Sequence, residues 1–281
     1  MPITPDCLSV NQFVVPELTL GELCKECRDH GVAGVGLLRS TLDEIGAAEA
    51  RQALSKYGIR PTSVCVIMGL TAVAADERGQ LLDQARRTLE AATELDVPAV
   101  VVVGGPGPGL TLKEATAQAV DAIEALDRRA EELGGRILIE PLHPMFAGLS
   151  AFTSLRQAVD LADGLTATGV VLDTWHVWNE FDLDMTVARH GSAIDIVHVS
   201  DWAAGTTPTT DREFPGAGIA DLTGLCSRID SATGNRRLWW EIEVLSERLT
   251  RRYSQIDLLH LCIRRTKAFF WPEPGQKVST T

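Results

Sequence analysis

Short runs rich in Val and Ile alternate along this chain with longer stretches in which apolar residues recur every three or four positions. The first pattern is that of strands, and the second that of helices packed by one face. Eight strands are predicted: Leu8–Val14, Val32–Leu38, Thr62–Met68, Ala99–Val103, Arg136–Glu140, Gly169–Asp173, Ile194–Ser200 and Leu238–Val244. Helices are predicted over Leu18–His30, Ser40–Tyr57, Asp76–Leu95, Leu112–Leu133 and Thr153–Ala162, with a last one near Tyr253–Phe270. Gly31, Gly58 and Gly134 follow three of them, where a left-handed cap is wanted. Strict alternation implies parallel strands joined by right-handed crossovers, and eight such units match a closed (β/α)8 TIM barrel of the α/β class. An open doubly wound sheet is the alternative. No Pro/Ser-rich linker, charge run or short repeat divides the 281 residues, so residues 1–281 are read as one domain.

Four of the later apolar runs carry a polar exception at or near their ends: Glu140 in "RILIEP", Asp173 in "TGVVLD", His198 in "DIVHVSD" and Glu243 in "LWWEIEV". A carboxylate or imidazole is costly in a segment that must otherwise bury itself, so four repeats of the pattern point to strand ends converging on one polar centre. The simplest such centre is a divalent metal ion. Barrels of this kind assemble their sites at the carboxyl ends of the strands, which favours the closed barrel over the open sheet.

Composition narrows the classes. With 45% hydrophobic and 23% charged residues the chain can build a sizeable core. A net charge of -12 argues against a nucleic-acid partner. The start "MPITPDCLSVNQF" lacks the basic and apolar regions of a secretory signal, and no run is long enough to span a bilayer, so no membrane partner and a cytoplasmic location are expected. Six cysteines are scattered, and only Cys24 and Cys27 have a C-x-x-C spacing; without a second pair they read as reduced, half-buried thiols.

The segments "IEPLHP", "VVLDTWHVW", "VHVSDW", "REFPGAG" and "WWEIEVLS", in this order, resemble the xylose-isomerase-like sugar phosphate isomerase/epimerase superfamily of TIM barrels. That group includes ketose 3-epimerases, inosose dehydratases and, more distantly, endonuclease IV. The likeness extends upstream through "SVNQF" and "GVAGVGLLRS". It implies that Glu140, Asp173, His198 and Glu243 bind one metal. Mn²⁺ is the first choice for this oxygen-rich set, with Mg²⁺, Co²⁺ or Zn²⁺ as alternatives. It also implies a small carbohydrate substrate and proton abstraction next to a carbonyl through a metal-stabilised enediolate, with Glu140 and Glu243 as the flanking catalytic carboxylates. Isomerase or epimerase activity is the leading expectation. A lyase of the same superfamily, either an inosose-type dehydratase or a C-glycoside-cleaving subunit acting on a 3-keto-glycoside, is the alternative, and an abasic-site endonuclease a remote one. Where ketose 3-epimerases carry another glutamate a few residues after the first ligand, this chain has Met145 and Phe146, which weakens the specific epimerase reading.

The resemblance further implies substrate contacts from His176 and Arg212. His143 is balanced between substrate contact and hydrogen bonding to a loop carbonyl. Glu241 and Glu243 are two residues apart and share one side of a strand, so both reach the interior. The family pattern makes Glu243 the ligand and leaves Glu241 as a neighbour that supports the ligands or joins an ion pair. One of Trp175, Trp178 and Trp202 is expected to touch a sugar face, without a choice among them. "GGPGPG" (104–109) lacks the ending of a phosphate-binding loop and reads as a plain connection. Phe269, Phe270 and Trp271 in "AFFWPEPG" either cap the barrel or form a homodimer contact, and a smaller partner subunit is the other partner considered.

Overall fold

The apolar runs become the staves of one barrel. The computed structural model describes residues 3–107, 109–206, 211–234 and 236–273. Its strands are β1 (Leu8–Asn11), β2 (Gly34–Leu38), β3 (Arg60–Met68), β4 (Val100–Val103), β5 (Ile137–Ile139), β6 (Thr168–Asp173), β7 (Ile194–Val199), β8 (Asp201–Trp202), β9 (Arg212–Glu213) and β10 (Trp239–Ile242). β1 through β7 and β10 pair in parallel and close, with β10 lying between β7 and β1. β8 and β9 form a separate antiparallel pair. The helices are α1 (Leu20–Asp29), α2 (Arg39–Tyr57), α3 (Ala75–Glu94), α4 (Leu112–Leu133), α5 (Leu155–Ala162), α6 (Thr174–Val177), α7 (Leu183–His190), α8 (Leu222–Ala232), α9 (Glu247–Arg252) and α10 (Gln255–Phe270).

Local signals set the helix ends. Thr19 and Thr111 each accept a hydrogen bond from the backbone three residues on, while Glu22 and Glu114 reach back to the Thr N–H, so α1 and α4 begin on capping boxes. Gly58 and Gly134 end α2 and α4 in the left-handed conformation. β1 is shorter than the predicted Leu8–Val14. The Asn11 side chain accepts from Phe13 N at 3.0 Å and turns Gln12–Val14 into a short 3-10 helix. α6 and α9, of 4 and 6 residues, span too few turns for a helical period to stand out in the sequence, and α7 and α8 are not among the predicted helices either.

Because both faces of each stave are covered, the strands read as nearly continuous apolar runs. Val100, Val102, Ile137, Ile139, Val170 and Leu172 join the core that also holds Leu89, Ile123, Leu126 and Val159 from the helices. The alternate positions fill the interior with Cys65, Ala99, Val101, Leu138, Val171 and Ile196. That plug closes the middle of the barrel, so the polar residues further along the same staves collect at its carboxyl end. β2 contributes no side chain to this interior at Gly36, where a Cβ would come within 2.7 Å of the Glu241 carboxyl carbon. Gly36→Ala is expected to destabilise the fold by about 1–3 kcal/mol through overpacking, read as a lower midpoint in urea; an unchanged midpoint would show that Glu241 can move aside.

All six cysteines are free and buried, so the thiols expected to be half-buried are fully inside. Burial pushes the Cys24 thiol up to about 12. At the opposite end of the barrel, Trp271 Nε1 donates to Ile3 O at 2.9 Å and Phe270 lies edge-on to Trp240 at 5.5 Å. These aromatics cap the barrel, while the end of the "AFFWPEPG" run lies outside the described residues. Among the described residues no helix is long and apolar enough to cross a membrane.

Candidate metal centre

β5, β6, β7 and β10 deliver the four polar strand-end residues to one point. Glu140 sits one residue past β5, its N–H still donating to Val102 O at 3.0 Å, and Glu243 sits one residue past β10, its N–H donating to Val199 O at 3.2 Å. Asp173 ends β6, and its Oδ1 accepts from Trp175 N at 2.8 Å to start α6. His198 stands on β7. One ligating atom from each of Glu140, Asp173, His198 and Glu243 lies within 4.8 Å of every other, and all four residues are buried. His198 Nδ1 is 2.9 Å from Glu140 Oε1 and 3.3 Å from Glu243 Oε2.

The charges are strongly coupled. Burial pushes the Glu140 carboxyl up to about 7, against the pull of His198. Burial acts the same way on Glu243, but His198 and Arg212 overcome it and bring that carboxyl down to about 2. His198 is buried too, yet Glu243 and Glu140 hold its imidazole well above the usual histidine range. A cluster of three buried carboxylates with so few cations around it is suited to a divalent ion. Three oxygen donors and one imidazole fit a hard or borderline metal better than one that prefers thiolates.

Arg212, predicted as a substrate contact from a loop, is buried on β9. Its Nη1 donates to Asp173 Oδ2 and Glu243 Oε2, both at 2.7 Å, and to Glu243 O at 3.1 Å. The guanidinium lies 5.2 Å from the Trp175 ring centroid, and its Nε has no partner. Burial pushes His176 down to about 3, so its ring is neutral near pH 7. His176 Nδ1 accepts from His143 N at 3.0 Å, which places the ring proton on Nε2. That Nε2 is 3.3 Å from Arg212 Nη2, so two N–H donors converge beside the acidic cluster.

His143 makes local contacts. Its Nδ1 accepts from Met145 N at 3.3 Å and its Nε2 lies 3.3 Å from Asn179 Nδ2. The bond is to a loop N–H, not to the carbonyl considered from the sequence, because His143 caps the turn Pro144–Phe146. Trp175 is fully buried and stacks on Trp202 at 4.6 Å, Trp202 faces His143 at 4.9 Å, and Phe146 meets His176 edge-on at 5.6 Å. In the glycine-rich connection Gly107 N donates to Thr71 Oγ1 at 2.5 Å, so that N–H is not free for a phosphate; Pro108 lies outside the described residues.

Two contributors escaped the sequence reading. Asp201 accepts from the N–H groups of Trp202, Gly216, Gly218 and Ala220 at 2.7 to 3.2 Å and ties down the turn after Arg212. Its signal was the "SD" of "VHVSDW", an acid following a buried strand. Glu180 Oε1 accepts from Leu155 N at 2.7 Å, pinning the segment after His176 to the start of α5. Burial pushes this carboxyl up from 4.5 to about 7. The unfolded chain therefore ionises Glu180 first, and the stability linked to its retained proton is lost as pH rises from about 4.5 through 7. Glu180→Gln is expected to raise stability at pH 8 by about 1–3 kcal/mol and to change little at pH 4. Thermal melts across pH test this, and equal shifts at both pH values would contradict it.

A family model for the xylose isomerase-like TIM barrel matches residues 24–255. Protein SMc04130 from Sinorhizobium meliloti 1021 is 30% identical with a TM-score of 0.87, over 94% of this chain and 98% of that one. The IOLI protein, solved with a binding zinc atom, is 18% identical with a TM-score of 0.79, over 96% and 99%. The 3-keto-D-glucoside 4-epimerase YcjR from E. coli is 20% identical with a TM-score of 0.71, over 91% and 99%. No curated protein matches the sequence.

Proposed function

The chain belongs to the xylose isomerase-like TIM-barrel family, and from that premise we propose that it is a metal-dependent isomerase or epimerase of a small sugar or sugar derivative. The observation that carries this reading is the convergence of Glu140, Asp173, His198 and Glu243 on one buried point at the carboxyl end of the barrel. A divalent ion held there, Mn²⁺ first and Mg²⁺, Co²⁺ or Zn²⁺ as alternatives, supplies a Lewis acid for adjacent carbonyl and hydroxyl oxygens. The zinc of IOLI and the epimerase activity named for YcjR accord with it.

The protein's own groups supply the rest. Glu140 and Glu243 reach the same point from β5 and β10, so they flank a substrate from two sides. One takes the proton from the carbon beside the carbonyl, and the other returns a proton to the opposite face or to the neighbouring carbon. Arg212 Nη2 and His176 Nε2–H are the donors for a substrate oxygen. Trp175 backs the guanidinium, and Trp202 with His143 forms an aromatic wall for the C–H face of a sugar. Elimination from the same deprotonated carbon is the second reading. It draws on Met145 and Phe146, which stand where ketose 3-epimerases carry another glutamate and so weaken the specific epimerase reading.

Incubation of ketoses, inososes and 3-keto-glycosides in D₂O with the Mn²⁺-loaded protein, followed by chelation of the ion and NMR of the products, tests the proposal. Deuterium entering beside a carbonyl supports it, and the product separates epimer, isomer and elimination. No exchange with any substrate, in protein that binds the ion, counts against proton abstraction.

A further inference from the structure

His198 turns two faces to two acidic groups. Its Nδ1 faces Glu140 and Glu243, whereas its Nε2 lies 3.3 Å from Glu241 Oε1, deeper in the barrel. The Nε2 has no well-directed hydrogen bond despite that distance. Glu241 is completely buried. Its Oε1 accepts from Asn11 Nδ2 at 2.9 Å and Ser63 Oγ at 3.0 Å, and its Oε2 from Ser9 Oγ at 3.1 Å and from Thr62 Oγ1. β1 and β3 thus supply four neutral donors, and β2 supplies the vacancy at Gly36. No Lys or Arg is among these partners. Beyond these neutral donors, the group that faces the buried Glu241 carboxylate is the Nε2 edge of His198.

We propose that Glu241 is a positioning residue: it holds the Nε2 edge of His198 so that Nδ1 is aimed at the point shared with Glu140, Asp173 and Glu243, where the ion would sit. This rests on the reading that those four residues hold a divalent ion. An imidazole ligand needs its second nitrogen protonated and anchored, and a carboxylate behind it fixes both ring orientation and tautomer. The alternative is that Glu241 merely ties β1, β3 and β10 together. Cys65, whose Sγ is 3.2 Å from Asn11 Nδ2, lies in the same buried group as His198 and Glu241.

Calorimetric titration with Mn²⁺ alone separates the two roles. In Glu241→Gln, which keeps shape and one acceptor, affinity is expected to fall about 10–100-fold. In a His198→Gln background the same change is expected to have no further effect. Zn²⁺-loaded protein labelled with ¹⁵N at histidine is expected to show a protonated Nε2 and a bare or metal-bound Nδ1 for His198, with that pattern altered in Glu241→Gln. Glu241→Asp, which keeps the charge but draws it back, is expected to lose less affinity and carries the test if the Gln variant does not fold. Wild-type affinity in Glu241→Gln, or an equal loss with and without His198, overturns the positioning role while leaving the metal site intact. Failure of the wild-type protein to bind Mn²⁺ overturns the site itself and this inference with it.

Discussion

Glu140→Gln is expected to slow exchange of the carbon-bound proton by about 10²–10⁴-fold, the range lost with a positioned general base. Two effects add. The amide cannot accept the proton, and one of three carboxylates leaves the centre. Comparing kcat at saturating Mn²⁺ separates these effects, since added metal restores only the loss that comes from weakened binding. In the metal-free protein burial brings the Glu140 carboxyl to about 7, whereas His198 and Arg212 hold Glu243 far lower. A variant with undiminished kcat would remove Glu140 from the chemistry and leave Glu243 as the remaining candidate base.

The second large effect is on stability. Arg212→Leu leaves Asp173 and Glu243 buried without the guanidinium that donates to both at 2.7 Å. Breaking such a buried pair from one side costs about 3–5 kcal/mol, so the melting temperature of protein freed of metal by a chelator is expected to fall by roughly 6–20 °C. Mn²⁺ is expected to recover more stability in the variant than in the wild-type protein, because the ion supplies the positive charge that was removed. Calorimetric melts with and without Mn²⁺ measure this. Equal recovery in both proteins would mean that Arg212 and the metal do not act on the same carboxylates. Activity is expected to fall as well, with a raised KM from loss of the donor beside His176.

The barrel was legible because its staves are covered on both faces and so stand out as apolar runs, four of them interrupted where a carboxylate or imidazole reaches the open end. Glu140, Asp173, His198 and Glu243 stood out for that reason, and their meeting point follows from the parallel register. The burial of Arg212 was not legible. It depends on β8 pairing with β9 and on Arg212 N bonding to Leu245 O across 33 positions of sequence. His143 was undecided from sequence because its partner is set by a three-residue turn and by Asn179, 36 positions away. Glu241 was seen to share a face with Glu243, but its role depends on depth in the barrel. Ser9, Asn11, Thr62 and Ser63 are ordinary strand residues until β1, β3 and β10 are brought together.

Anomalous diffraction from crystals grown with Mn²⁺ tests the central claim most directly. The expected result is one strong peak bonded at about 2.0–2.6 Å to Glu140, Asp173, His198 Nδ1 and Glu243. A peak only elsewhere, such as at the half-buried Glu26 of α1, His30 just after it and His260 of α10, or no peak at the four strand ends, would contradict the account.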